Sequence, residues 1–283
     1  MNNFHARHAG LIPEGGLEEK RVVIVGAGSV GSELARLLAR SGVERFLLAD
    51  PDTVAESNLC RSAYIEADVG RPKIEALADH LRAVRRDIEV ETHASDVSTI
   101  DDDRLADWFD WADLLIAATD SASVQLRLGA LAYHRVPAVF VGVYERGEGG
   151  EVLWTAPDET PCFACTVGTF REQHAQTRPR HAYDVAPDDP LPVPALGIDI
   201  QHVTVCASKI ALALLLRGTE APAARILDPE RSLVFVGNAV AWHWRMPFEV
   251  LWARQKRRDA CLCRLTPGSS TASLVDLGEE LVA

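Results

Sequence analysis

The stretch that decides the fold is VVIVGAGSVGSELARLLARSGVERFLLAD, residues 22–50, with its continuation PDTVAESNLCRSAYIEADVGRPK, residues 51–73. Val22 to Val25 is a short apolar run behind Arg21, the pattern of a strand buried on both faces of a parallel sheet. Gly26-Ala27-Gly28-Ser29-Val30-Gly31 follows at once in the spacing GxGxxG. A helix comes next, with Val30, Leu34, Leu37, Leu38 and Val43 marking its inner side and exit, and Gly42 placed to stop it. A second strand, Phe46 to Ala49, ends in Asp50. This is a βαβ nucleotide-binding half. Gly26, Gly28, Ser29 and Gly31 let backbone approach phosphate, the helix N-terminus offers N–H groups, and Asp50 reaches a ribose. On the glycines alone, a NAD-binding Rossmann unit is an equally good reading.

The continuation changes that balance. Asp50-Pro51-Asp52 leads to Asn58-Leu59-Cys60-Arg61 and then to Gly70-Arg71-Pro72-Lys73. A dinucleotide site does not need an Asn, an Arg and a Lys gathered beyond the second strand, whereas a triphosphate site does. Further on, Leu114 to Ala118 reads as a buried strand ending at Thr119-Asp120. Ligand contacts in an open parallel sheet lie at the carboxyl ends of strands, so Asp120 shares a rim with Gly28 and Asp50. Each residue alone has a bland reading: a solvated Lys or Arg, or Asp120 as cap of the helix that follows. Together they suit the attack of a carboxylate on the α-phosphorus of ATP. Both partners are anions and the nucleophile is already ionised. The site therefore needs no general base, only cations, a metal and alignment. Arg61 and Lys73 supply the cations and Asp120 the metal-side acid. Asp50 suits the ribose hydroxyls, Asp52 is a further cofactor-binding candidate, and Asn58 donates or accepts in the same pocket.

An acid ending the second strand, N-L-x-R, Gly-x-x-Lys and a later T-D, in that order, resemble the E1-like superfamily that activates ubiquitin-like proteins: the ThiF, MoeB and E1 adenylating enzymes. The resemblance runs from about Arg7 to Cys263. It implies an α/β fold of the Rossmann-like E1 type, mainly a parallel sheet continuing into an antiparallel C-terminal part. It implies Mg2+ and ATP as cofactors. The implied activity is adenylation, with pyrophosphate release, of the C-terminal carboxylate of a ubiquitin-like or sulfur-carrier protein ending in Gly-Gly. A homodimer, with Arg7 reaching the neighbour's triphosphate, and an E2-like acceptor follow from the same resemblance. Alternatives are adenylation of a small or tRNA-borne carboxylate, as in the related threonylcarbamoyladenosine dehydratase, a NAD oxidoreductase, and a scaffold that has kept the fold.

Cys162-Phe163-Ala164-Cys165 and Cys261-Leu262-Cys263 place four thiols in two close pairs, which suits tetrahedral structural Zn2+. Many bacterial members of the family it resembles carry two C-x-x-C pairs at these places, and this chain departs from them in the C-x-C of the second. Cys206 is expected in the core of an apolar helix and Cys60 near the phosphates, so no thiol is expected to form a stable thioester.

The 283 residues allow one large domain or two small ones. A formal charge of −12 argues against nucleic acid or an anionic membrane as partner. No apolar run approaches the roughly 20 residues that span a bilayer, and the first residues lack an apolar signal core, so a cytoplasmic protein is expected. Residues 1–20 read as an N-terminal arm, 21–265 as the adenylation domain and 266–283 as a flexible tail. Residues 171–197, rich in proline and charge, read as a long crossover loop. Between these, helices are expected over 69–84, 101–111, 121–135 and 198–217, and strands over 88–92, 138–142, 151–155 and 232–240.

Overall fold

The computed structural model describes residues 3–167 and 194–259, together with Cys261 and Cys263. Five parallel strands come first: β1 (Arg21–Val25), β2 (Arg45–Ala49), β3 (Glu89–His93), β4 (Leu114–Ala117) and β5 (Ala138–Val143). Three antiparallel strands continue the same sheet: β6 (Gly149–Thr155), β7 (Leu233–Gly237) and β8 (Val250–Ala253). The order across the sheet is β3-β2-β1-β4-β5-β6-β7-β8. Because β2 and β4 flank β1 on opposite sides, the chain reverses direction of travel across the sheet at β1. That reversal opens a crevice at the carboxyl ends of the strands.

Among the described residues, α1 (Ser29–Ser41), α2 (Lys73–Val84), α3 (Asp102–Trp111), α4 (Ala122–Ala132) and α5 (Gly197–Leu215) cover the two faces of the sheet. Side chains of a strand alternate between faces, and in β1 both faces are buried. Val22 and Ile24 join the cluster under α1, α2 and α5, while Val23 and Val25 join the one under α3 and α4. That double burial explains why β1 and β4 read as unbroken apolar runs rather than alternating ones. Leu34 and Leu38 carry α1 onto the sheet, with Leu37 half-buried beside them. Gly42 ends α1 at φ 116°, its N–H returning to the carbonyls of Leu38 and Ala39.

Two expected boundaries move by several residues, and one strand is new. The helix expected from Val69 starts only at Lys73, because Val54 N–H, Gly70 N–H and Lys73 N–H pair residues 52–54 with 70–73 and pull that stretch into an extended bridge. The strand expected to reach Val240 stops at Gly237, where Asn238 turns its amide to the carbonyls of Gly147 and Asp199. The edge strand β8 was not anticipated, since four residues carry too short a pattern to read. The stretch expected as an arm lies against the domain: Leu17 is buried, and His5 sits under Gly42 and pairs with Glu18. α5 is long and apolar enough by composition to cross a membrane. Here it packs on α1 and across β4, β5, β6 and β7. Most of residues 171–197, and all of 266–283, lie outside the described residues.

Candidate active site

A cavity of about 990 Å³ opens at the carboxyl ends of β1, β2, β4 and β5. That is near the upper end of the roughly 300–1,000 Å³ usual for small-molecule sites. Its floor is the turn from β1 into α1. Gly26 has φ 93°, and a side chain there would strike the carbonyl of Ala118. A Cβ on Gly31 would fall 1.9 Å from the carbonyl oxygen of Gly26, so α1 starts tight against the turn only because both are glycine. Above Gly28 the space is open, and Gly28 and Ser29 both line the cavity. The free N–H groups at the start of α1 therefore face a space of the right size and polarity for phosphate.

Asp50 sits at the end of β2, only 6% exposed. Its Oδ2 accepts from Ala27 N–H at 2.6 Å and its Oδ1 from Asp52 N–H at 2.9 Å. Each oxygen keeps a lone pair for a ligand hydroxyl. Burial pushes its carboxyl above the ordinary value, against the pull of Lys73 and the two N–H donors. Lys73, the first residue of α2, is 8% exposed. Its Nζ donates to Asp52 Oδ2 at 2.6 Å and lies 4.0 Å from Asp50 Oδ1. The extended bridge that delays α2 is what brings Lys73 to this wall.

Asn58 and Arg61 line the same cavity. Asn58 turns its Oδ1 to Ala55 N–H at 2.9 Å, which closes the short turn that carries Arg61. Across the cavity, Asp120 is exposed and follows β4. Ser121, not Asp120, accepts from Val124 N–H and caps α4, so the capping role leaves Asp120 aside. The structure thus brings Gly26, Gly28, Ser29, Asp50, Asp52, Asn58, Arg61, Lys73 and Asp120 around one space. Gly31 supports it from behind. Arg7 is exposed and does not line this chain's cavity.

Sequence reasoning missed several contributors. Tyr64 donates its OH to the carbonyl of Ala27 at 2.6 Å and fixes the glycine turn from below. Gln125, 2% exposed, donates to the carbonyls of Thr119 and Val141, bridging β4 and β5 just past the point where their ladder ends. Asp96, Val97 and Ser98, in the loop after β3, also line the cavity. The carboxyl-end rule that found Asp120 applies equally to β3 and would have found these three.

The four paired cysteines meet on the opposite side of the sheet from α5. Their sulfurs all lie within 4.8 Å of one another, with Cys162 and Cys261 at 3.3 Å and Cys165 and Cys263 at 3.6 Å. Four thiolates about 2.3 Å from a tetrahedral zinc stand roughly 3.8 Å apart, so the donor set fits that ion. Arg258 N–H donates to Cys165 Sγ at 3.2 Å, a backbone contact that supports a thiolate. The C-x-C spacing of the second pair therefore does not prevent convergence. Cys206 is half-buried on α5, where burial pushes its thiol up. Cys60 is exposed, donates toward the carbonyl of Ser57 at 3.4 Å, and does not line the cavity.

Comparison with known proteins agrees with this geometry. The chain is 31% identical over 159 residues to ubiquitin-like modifier-activating enzyme 5 of Drosophila sechellia, covering 53% of this chain and 39% of that protein. It is 33% identical over 157 residues to the molybdopterin-synthase adenylyltransferase of Escherichia coli, covering 55% of this chain and 62% of the relative. The chain thus spans less than two thirds of each. The crystal structure of E. coli MccB with ATP superposes with a TM-score of 0.68 at 17% identity, over 92% of this chain and 74% of MccB. That likeness shows the fold. The family model for ThiF matches residues 5–228, most of the chain, and the chain belongs to the ThiF family.

Proposed function

We propose that this chain uses Mg2+ and ATP to adenylate the C-terminal carboxylate of a protein or peptide. The observation that carries the reading is Lys73, Arg61 and Asp120 gathered around one cavity over the N-terminus of α1. A substrate carboxylate oxygen attacks the α-phosphorus. A P–O bond forms, the bond to the bridging oxygen breaks, and its electron pair leaves with pyrophosphate. The nucleophile enters ionised, so no side chain has to take a proton. Lys73 and Arg61 offset the repulsion between the two anions, and the amides at the start of α1 hold phosphate oxygens. Asp50 orients the ribose through its spare lone pairs. Asp120, a hard oxygen donor, is the residue that would hold Mg2+, which supplies charge neutralisation across the phosphates. Zn2+ on Cys162, Cys165, Cys261 and Cys263 would be structural, tying the segment after β8 to the one after β6.

The names of the relatives, a ubiquitin-like modifier-activating enzyme and a molybdopterin-synthase adenylyltransferase, support a protein substrate, and we take it to be a ubiquitin-like or sulfur-carrier protein ending in Gly-Gly. A cytoplasmic homodimer in which Arg7 reaches the partner's triphosphate, and an E2-like acceptor, complete the proposal. The test is ATP–pyrophosphate exchange with purified carrier proteins ending in Gly-Gly and with the same proteins lacking those two residues. Exchange that needs Mg2+ and the intact terminus is expected. Protein that binds ATP yet exchanges with no carrier, or that reduces NAD instead, would overturn the proposal.

A further inference from the structure

Two walls of the cavity carry no cation. The first turn of α4 gives Ser121, Ser123 and Val124, and the loop between β3 and α3 gives Asp96, Val97 and Ser98. Lys73, Arg61 and the start of α1 mark the phosphate end. Val141 to Tyr144 on the β5 side also carry no cation, but only the first two walls are joined by one side chain, Arg127, and we take these two as the base side. Arg127 lies one turn further along α4 and grips that loop from behind. Its Nε and Nη2 donate to Asp102 Oδ1 at 2.9 and 2.6 Å. Its Nη1 donates to the carbonyls of Val97 and Ser98 at 3.0 and 3.4 Å, and Nη2 to that of Ile100 at 2.5 Å. Other bonds of the loop run within it: Asp96 accepts from Ser98 N–H, and Thr99 Oγ donates to the carbonyl of Asp96.

We propose that Arg127 is a positioning residue that sets the spacing between the two walls receiving the nucleotide base. It touches no reacting atom. The planar fork of guanidinium donors meets three carbonyls and a carboxylate at once, an arrangement that an ammonium on a flexible stem does not reproduce. Its effect is therefore on affinity for the nucleoside part, not on the grip on triphosphate. The inference rests on the reading of the cavity as a nucleotide site.

The experiment is calorimetric titration of ATP and of inorganic tripolyphosphate into wild type, Arg127→Met and Arg127→Lys. Several hydrogen bonds to one wall are lost, so ATP affinity is expected to fall about tenfold in Arg127→Met, with tripolyphosphate affinity within about twofold of wild type. Arg127→Lys should recover little of the loss. ATP affinity that does not change overturns the proposal, as does an equal loss for both ligands, which would mean that Arg127 only holds the fold together. Wild type that binds tripolyphosphate but not ATP overturns the base wall alone. Wild type that binds neither overturns the nucleotide reading itself.

Discussion

Replacing Lys73 with Met keeps most of the aliphatic stem and removes one charge from the cation buried deepest in the cavity wall. Lys73 Nζ lies 4.0 Å from Asp50 Oδ1. At that range a pair of unit charges is worth up to about 4 kcal/mol at an effective dielectric near 20. A phosphate oxygen taking the place of Asp52 Oδ2, which lies 2.6 Å from Nζ, meets the same charge no further away. With Arg61 still present, about 2.7 kcal/mol of transition-state stabilisation is a fair share to lose, or about 100-fold in the rate of ATP–pyrophosphate exchange. The same substitution leaves Asp50 without its nearest cation. Burial already raises the Asp50 pKa and Lys73 lowers it, so the variant's Asp50 pKa should rise further. A carboxyl raised in the folded state costs stability as pH climbs from its unfolded value through its folded one. The stability gap between wild type and Lys73→Met should therefore be small below the unfolded pKa and widen as pH rises through the folded-state value, because the Asp50 carboxylate then lacks Lys73. Exchange assays at saturating carrier and thermal melts from pH 4 to pH 8 check both parts. Exchange at the wild-type rate, or melting curves that keep a constant offset across that range, would refute the reasoning.

Asp120→Ala should cut exchange by about 100-fold or more, and Asp120→Asn should raise the Mg2+ concentration needed for half-maximal rate; an unchanged Mg2+ dependence counts against the metal role. Purified protein should carry one zinc per chain. Cys261→Ser, or a strong chelator, should remove it and lower the melting temperature, and elemental analysis that finds no zinc refutes the site. After incubation with Mg-ATP and a carrier, a non-reducing gel should show no thiol-sensitive adduct, because Cys60 is turned to the Ser57 carbonyl and Cys206 is half-buried with a raised pKa. An adduct lost in Cys60→Ala or Cys206→Ala would show a transferring enzyme.

The sequence by itself determined the nucleotide-binding half, and for local reasons. A glycine turn between a doubly buried strand and an amphipathic helix has few other uses, and the pattern within residues 22–50 is enough to mark it. Asp120 was legible through topology, since any acid just past a parallel strand falls on the ligand rim. The two cysteine pairs were legible as chemistry, because close thiols ask for a shared partner. Only the tertiary structure decided how these parts meet. Lys73 reaches the cavity because residues 52–54 pair with 70–73, and no periodicity records a bridge between two loops. Tyr64, Gln125 and Arg127 shape the site by giving hydrogen bonds to backbone carbonyls. A carbonyl acceptor is present at every residue, so nothing in the chain's lettering marks which ones will be used. The four sulfurs converge because β6, β7 and β8 carry the segments at residues 162 and 261 to one side of the sheet. That long-range pairing is fixed by packing, not by local pattern.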